Sequence, residues 1–220
     1  MSDAPRPLQG LPAHLRIFAV VCLLLSALVG LVATEEMVLL MRLPTEAPPS
    51  MAGMSPALQE RMWRAQRQGL ESMQASRVIV MCGLMVFSGL TLVGTARLLW
   101  PAGLSRDGIR RLLGTTAIIT GALRVVDGAQ TAAIARRMGI VLNEGLAVTS
   151  LPGADPLSIE LVRKVGPAVL MGTAIVQTAV VAGIFVLFGQ YLKSERVAQL
   201  FAAEAEDGTP RGGSGPRTDD

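Results

Sequence analysis

The chain has 220 residues, of which 50% are hydrophobic and 17% charged, and this balance excludes an ordinary soluble globular protein. The net charge of +3 comes from arginines spread over loops and tails, and aromatic residues make up 4% of the chain, so nothing supports nucleic-acid binding. Arginine outnumbers lysine by 18 to 2, a codon-bias signature of GC-rich bacteria. We therefore expect an all-α integral membrane protein of a bacterial inner membrane, with the lipid bilayer as its main partner.

The first apolar run follows a polar, proline-rich segment, residues 1–14, which we expect to be flexible. Residues 17–33 carry no charge, and a cleaved signal peptide is one interpretation of such a run. The run is longer than a typical signal sequence, however, and a further apolar piece follows Glu35 and Glu36. We therefore predict a retained first span over residues 17–41.

A second helix is predicted to start at Ser55 and Pro56, because serine is a good N-cap and proline is favoured at the first helical position. No proline interrupts the chain from there to the end of the next apolar run. The first half, residues 56–77, is amphipathic and outside the membrane, and the second half, residues 78–100, is the predicted second span. One side of the first half carries three arginines: Arg61, Arg64 and Arg67. This extended helix is a candidate surface for partner recognition.

The central apolar stretch, residues 112–135, is long enough to cross a hydrocarbon core of roughly 30 Å. Its small and polar residues share one side, and three glycines recur there at intervals of seven: Gly114, Gly121 and Gly128. Small residues at this spacing let a neighbouring helix backbone come close. The glycines therefore predict a helix-packing seam, with the larger aliphatic residues facing lipid.

The fourth predicted span covers residues 165–192, which carry no charge. From residue 203 onward the chain is acidic and then rich in glycine, so residues 203–220 are predicted to be a disordered tail. The sequence thus predicts a four-helix transmembrane domain within residues 15–200, arranged as two helical hairpins. The density of arginines on one short connection favours a cytoplasmic location for both termini.

Charged residues in the middle of a span are costly unless they have partners. Arg124 and Asp127 stand three apart on the third span, close enough on a helix for their side chains to meet. Gln177 lies near the centre of the fourth span, and we expect its amide to face this pair. For Glu35 and Glu36 we expect solvated carboxylates at a helix end, with pairing to Arg124 as the alternative. This intramembrane polar cluster is a structural ion pair that fixes helix docking or, alternatively, part of an ion or proton path.

Motifs for catalysis or cofactor binding are lacking, because the chain has no P-loop, dinucleotide-binding fingerprint, zinc-protease motif or nucleophile elbow. Its single histidine, His14, precedes the first span and so supplies no histidine ligand for haem or zinc within the spans. We expect no enzyme activity, no metal and no cofactor.

Two functions remain after these exclusions. The leading hypothesis is a non-enzymatic interaction or assembly subunit, which works with a protein partner or as a homo-oligomer. The alternative is a small oligomeric transporter or channel that uses the polar cluster. A transport path needs polar residues that continue from the cluster to both membrane surfaces, and the threonines of the second and third spans supply only part of such a path.

Overall fold

The computed structural model describes residues 12–42, 55–100, 106–148 and 156–207, and within these ranges all regular structure is helical. Six helices follow one another: α1 (Ala13–Arg42), α2 (Pro56–Ser72), α3 (Gln74–Leu99), α4 (Arg106–Val148), α5 (Pro156–Lys193) and α6 (Glu195–Asp207). Among them, α1, α3, α4 and α5 are long and apolar enough to cross a membrane. The four predicted spans therefore correspond to four long helices.

The third and fourth helices extend well beyond the predicted spans. α4 has 43 residues and α5 has 38, so residues 112–135 and 165–192 are the inner parts of longer helices. The extension of α4 packs against other helices, because Gly139 lies against Pro167 of α5 and Gly145 lies against Leu58 of α2. These contacts give the second half of α4 a buried side even where its sequence becomes more polar.

α2 begins with the predicted cap, since the hydroxyl of Ser55 accepts a hydrogen bond of 3.4 Å from the backbone nitrogen of Leu58. The helix breaks at Met73, so α2 and α3 are separate elements. α2 runs antiparallel to the second half of α4, with Gly69 against Ile134 and Leu58 against Gly145. Its apolar side is thereby buried, and its arginine-bearing side is left facing outward.

The long helices pack as sequential neighbours: α1 against α3, α3 against α4, and α4 most extensively against α5. The main core includes Leu84, Leu98, Leu113, Phe185 and Phe188, all of which are almost fully buried. The start of α1 lies beside the end of α5, where the hydroxyl of Tyr191 and the His14 ring are 2.7 Å apart. The start of α1 and the end of α5 therefore lie at the same end of the fold.

The three glycines of the predicted seam of α4, Gly114, Gly121 and Gly128, face α5. A methyl group added at Gly121 would lie 3.1 Å from the carbonyl oxygen of Ala182, and one added at Gly114 would lie 3.2 Å from that of Gly189. At Gly128 an added methyl group would collide with Thr178. The absence of side chains at these three positions allows the backbones of α4 and α5 to approach closely.

The last helix reaches into the segment that was predicted to be a disordered tail. α6 ends at Asp207, so residues 203–207 are helical. Val197 and Phe201 anchor the helix by packing into the main core. The predicted flexibility of residues 1–11 and 208–220 concerns segments outside the described residues.

Candidate functional site

Four charged side chains from three helices meet in one cluster, which we call the charged cluster: Glu36 from α1, Arg77 from α3, and Arg124 and Asp127 from α4. Arg77 and Asp127 are each only 2% exposed, whereas the side chain of Glu36 is partly exposed. Two cations and two carboxylates balance each other, so the cluster is neutral when all four groups are charged. Buried charges are tolerable only with such pairing.

Arg77 is the centre of the charged cluster. Its Nε donates a hydrogen bond of 2.9 Å to Oε1 of Glu36, and one of its terminal nitrogens donates to the same oxygen. That terminal nitrogen also lies 3.3 Å from the hydroxyl of Thr131 and 3.6 Å from Oδ1 of Asp127. A single guanidinium therefore ties α3 to both α1 and α4.

The other ion pair of the charged cluster lies within α4. Arg124 donates a hydrogen bond from Nη1 to Oδ2 of Asp127, three residues further along the same helix. Some buried polar atoms of the cluster have no hydrogen-bond partner: Nη1 of Arg77, Nε of Arg124 and Oδ1 of Asp127. The pairing therefore neutralises the charges without satisfying every donor and acceptor.

The charged cluster lies at one end of the apolar segments of α1 and α3. In α1, Glu36 closely follows the charge-free residues 17–34, and in α3, Arg77 immediately precedes the charge-free residues 78–96. Each run is about 27 Å long at 1.5 Å per residue, close to the thickness of a hydrocarbon core. The end of the run in α1 and the start of the run in α3 lie at the same level because α1 and α3 are antiparallel. Along α1 and α3, the Arg124 and Asp127 pair is therefore level with the ends of the charge-free runs and not with their middles.

Two of the residues named from the sequence lie outside the charged cluster. Glu35 is exposed, and Glu36 pairs with Arg77 instead of Arg124. Gln177 is exposed on α5, and no hydrogen bond joins it to the cluster within the described residues. The expected contact between Gln177 and the Arg124 and Asp127 pair is therefore not observed, because α5 is rotated about its axis so that the next residue faces α4. Thr178 packs on Gly128 of α4, so the preceding residue points about 100° away from that contact.

Arg77 is the central residue of the charged cluster, and no local sequence pattern singles it out. It is the last residue of the predicted amphipathic segment, residues 56–77, and directly precedes the second apolar run. The positions of Glu36 and Arg77 relative to the apolar runs could have predicted their pairing. When two consecutive spans are antiparallel, a glutamate at the end of the first span and an arginine at the start of the second lie at the same level. Glu36 and Arg77 satisfy this condition.

Six buried hydroxyl groups lie on α1, α3 and α4 beyond the charged cluster. These residues are at most 3% exposed: Ser26, Ser88, Thr91, Thr95, Thr116 and Thr120. Each of them donates a hydrogen bond to a carbonyl oxygen of its own helix, three or four residues back. The hydroxyls of Thr91 and Thr120 lie 3.4 Å apart, which brings α3 and α4 into polar contact.

A second buried arginine closes the opposite end of the fold. Arg110 of α4 is 6% exposed and donates a 2.6 Å hydrogen bond from Nη1 to the carbonyl oxygen of Leu192 at the end of α5. Its other nitrogens donate to Asp107, which also pairs with the exposed Arg111. A helix C-terminus carries unpaired carbonyls and a partial negative charge, so a cation there stabilises the α4–α5 contact.

No group of three or more histidine, cysteine, aspartate or glutamate side chains that could hold a metal ion occurs in the part of the chain that the structure describes. Cys22 and Cys82 are free thiols, the first buried and the second exposed. The polar atoms of the site are those of arginine, carboxylate and hydroxyl groups. Their chemistry suits ion pairing and hydrogen bonding between helices.

Comparisons with protein-family models, with characterised proteins and with solved structures found no match to this chain. Fold and site therefore define a class only: an all-helical protein with four helices that are long and apolar enough to span a membrane.

Proposed function

We propose that this protein is a non-enzymatic interaction or assembly subunit of a bacterial inner membrane, with two transmembrane hairpins and both termini in the cytoplasm. The observation that carries the proposal is the position of Arg77, whose buried guanidinium joins α1, α3 and α4. Its partners are groups of the same chain, and the neighbouring hydroxyls donate to their own helices. The buried polar groups are thus used to hold the helices in one arrangement, which is what a scaffold requires.

The orientation rests on the end of the fold where α1 begins and α5 ends. The contact between His14 and Tyr191 places these two helix ends together. Exposed cations accumulate at this end, on the helix ends that flank the short α3–α4 connection and at the α5–α6 junction: Arg97, Arg111, Lys193 and Arg196. Clustered Lys and Arg next to spans favour the cytoplasmic side. The charged cluster would then lie near the opposite, outer boundary.

The partner surface that we propose is the outward side of α2. Arg64 and Arg67 on this helix are already paired with Glu60 and Glu71, at 2.5 Å and 2.8 Å. Arg61 is exposed and has no ion pair within the described residues, so it is the cation available to an acidic partner. Because the apolar side of α2 is packed on α4, recognition here would be polar and sensitive to salt.

The experiment is site-specific photo-crosslinking in native membranes, with the probe placed at exposed Gln68 of α2 or at lipid-facing Leu24 of α1 as the control. We expect a defined protein adduct from position 68 that position 24 does not give and that Arg61→Glu weakens. Absence of any adduct at position 68 in correctly inserted protein would contradict the interaction role of α2.

The alternative function, a small oligomeric transporter or channel, is favoured by one observation. Buried hydroxyls of α3 and α4 lie between the charged cluster and the level of Arg110, and atoms of Arg77 and Asp127 in the cluster have no hydrogen-bond partner. Proton and cation flux through liposomes containing wild-type protein or Asp127→Asn separates the two functions. Flux that the substitution abolishes would favour transport, and no flux from folded wild-type protein favours the subunit.

A further inference from the structure

The start of α4 and the end of α5 pack against each other at Gly114. A methyl group added at Gly114 would lie 3.2 Å from the backbone oxygen of Gly189 and 3.1 Å from Cγ of Lys193. The aliphatic stem of Lys193 therefore lies on the surface of α4, about one turn from Arg111. Because the two helices are antiparallel, three residues back from Gly114 and three forward from Gly189 reach the same level. Arg111 is thus level with Leu192 and Lys193.

Arg111 and Lys193 also lie on the same side of the α4–α5 contact. Leu192 and Lys193 both approach Gly114, one from each side of it. On α4, Arg110 and Arg111 flank Gly114 at about 40° and 60° around the helix axis, again one on each side. Arg110 takes the side of Leu192, because it donates a hydrogen bond to the carbonyl oxygen of that residue. Arg111 is thereby left on the side of Lys193.

Both of these cations stand at the boundary of the apolar layer. Arg111 directly precedes the charge-free residues 112–123, and Lys193 directly follows the charge-free residues 165–192. The side chain of Arg111 is 75% exposed and pairs with Asp107 at 2.8 Å. Lys193 is exposed and forms no ion pair within the described residues. Two cations on neighbouring spans, at the level where lipid phosphates lie, form a site for a headgroup that carries a phosphate.

We propose that Arg111 and Lys193 bind the phosphate of an anionic phospholipid, whose acyl chains lie along the same side of the α4–α5 contact. Thr115 and Ala122 follow Arg111 on this side of α4 and are exposed, so the side is open to lipid tails. A zwitterionic headgroup brings a cation of its own, which these two side chains would repel, so the site favours a headgroup with a net negative charge.

The lipid site goes beyond the proposed function and needs only that the four apolar helices span a bilayer. It is independent of what α2 recognises. Under the proposed orientation the lipid belongs to the cytoplasmic leaflet, where anionic headgroups attract cations that stand next to a span.

The test is native mass spectrometry of the full-length protein in detergent, with bound lipid counted during a titration with phosphatidylglycerol. We expect the wild-type chain to bind phosphatidylglycerol at least about fivefold more tightly than phosphatidylethanolamine with the same acyl chains. Arg111→Gln and Lys193→Gln should each raise the dissociation constant for phosphatidylglycerol about threefold to tenfold. Lys193→Arg keeps the charge and should retain the binding.

Arg97→Gln is the matched control, because it removes an exposed cation of α3 at the same end of the fold. Leu113 of α4 faces Gly94 of α3, and Arg111, two residues before Leu113, points about 160° away from that contact. Arg97 is therefore on the far side of α4 from the lipid site. Its loss should leave the dissociation constant for phosphatidylglycerol nearly unchanged.

Three outcomes would overturn the lipid site without affecting the role of α2. They are equal affinity of the wild-type chain for the two lipids, equal losses from Lys193→Gln and Arg97→Gln, and displacement of phosphatidylglycerol by an equal concentration of inorganic phosphate. The last would show that free phosphate is the ligand. Both glutamine variants replace exposed side chains, so retention of the wild-type thermal midpoint shows that a loss of binding is not a loss of fold. A chain that does not insert in a bilayer would contradict both the lipid site and the proposed function.

Discussion

Arg77 at the start of α3 donates two hydrogen bonds to Glu36 near the end of α1, and this contact joins two helices that are separated by a connection and by α2. The same guanidinium lies 3.6 Å from Asp127 of α4, so three helices depend on one side chain. A buried cation shared by two carboxylates restricts both the rotation and the vertical register of the helices that carry them.

Replacing this cation is expected to destabilise the fold strongly. Arg77→Ala removes the partner of two carboxylates, and loss of one member of a buried ion pair costs about 3–5 kcal/mol of the free energy of unfolding. Unfolding in mixed detergent micelles measures the change. Arg67→Ala is the control, because that arginine forms a partly exposed pair with Glu71 and its loss should cost less than about 1 kcal/mol. Equal losses from the two substitutions would contradict the central role of Arg77.

Removing Asp127 alone should be worse than removing it together with Arg124. Asp127→Ala leaves two arginines with the single carboxylate of Glu36, whereas the double replacement by alanine leaves Arg77 and Glu36 as a balanced pair. We therefore expect the double variant to accumulate in membranes at a level closer to wild type. The check is immunodetection of both variants after identical expression, and a double variant less abundant than Asp127→Ala would count against charge balance as the organising factor.

The glycine seam of α4 predicts a contrast between two substitutions of the same kind. Gly121→Ala places a methyl group 3.1 Å from a backbone carbonyl of α5, and overpacking of this type costs about 1–3 kcal/mol. Gly89→Ala on α3 meets no atom within 4 Å, so it should be neutral or stabilising by up to about 1 kcal/mol through helix propensity. The thermal midpoints of the purified proteins in one detergent give the comparison. If Gly121→Ala were tolerated as well as Gly89→Ala, the close α4–α5 approach would be wrong.

A fourth contrast concerns two adjacent arginines at the other end of the fold. Arg110→Gln weakens the hydrogen bond to the carbonyl oxygen of Leu192, and hydrogen bonds that involve a charged group contribute about 1.5–3 kcal/mol. Arg111→Gln removes only an exposed pair with Asp107 and should have little effect on stability. Protease sensitivity of the α5–α6 junction reports the outcome, and an Arg110→Gln variant as resistant as Arg111→Gln would show that this contact does not hold α5.

Local features of the chain predicted the number of spans and the start of α2, because apolar run length and a serine-proline cap act within a few residues. Four long apolar helices are observed, and α2 begins at Pro56. The helix ends were predicted less well. α4 continues to Val148, and its extension packs on other helices through Gly139 and Gly145. Local composition does not predict such tertiary contacts.

The sequence by itself therefore determined the all-helical class, the four apolar spans and the neighbouring Arg124 and Asp127, since these depend on helix geometry and on the period of one element. Tertiary structure alone decided that Arg77 joins Glu36 to Asp127, because this depends on the vertical register between antiparallel helices. It also decided that Gln177 faces outward, because packing on α4 sets the rotation of α5 about its own axis. Register and rotation follow from the summed packing of side chains far apart in the chain, and no single segment carries that information.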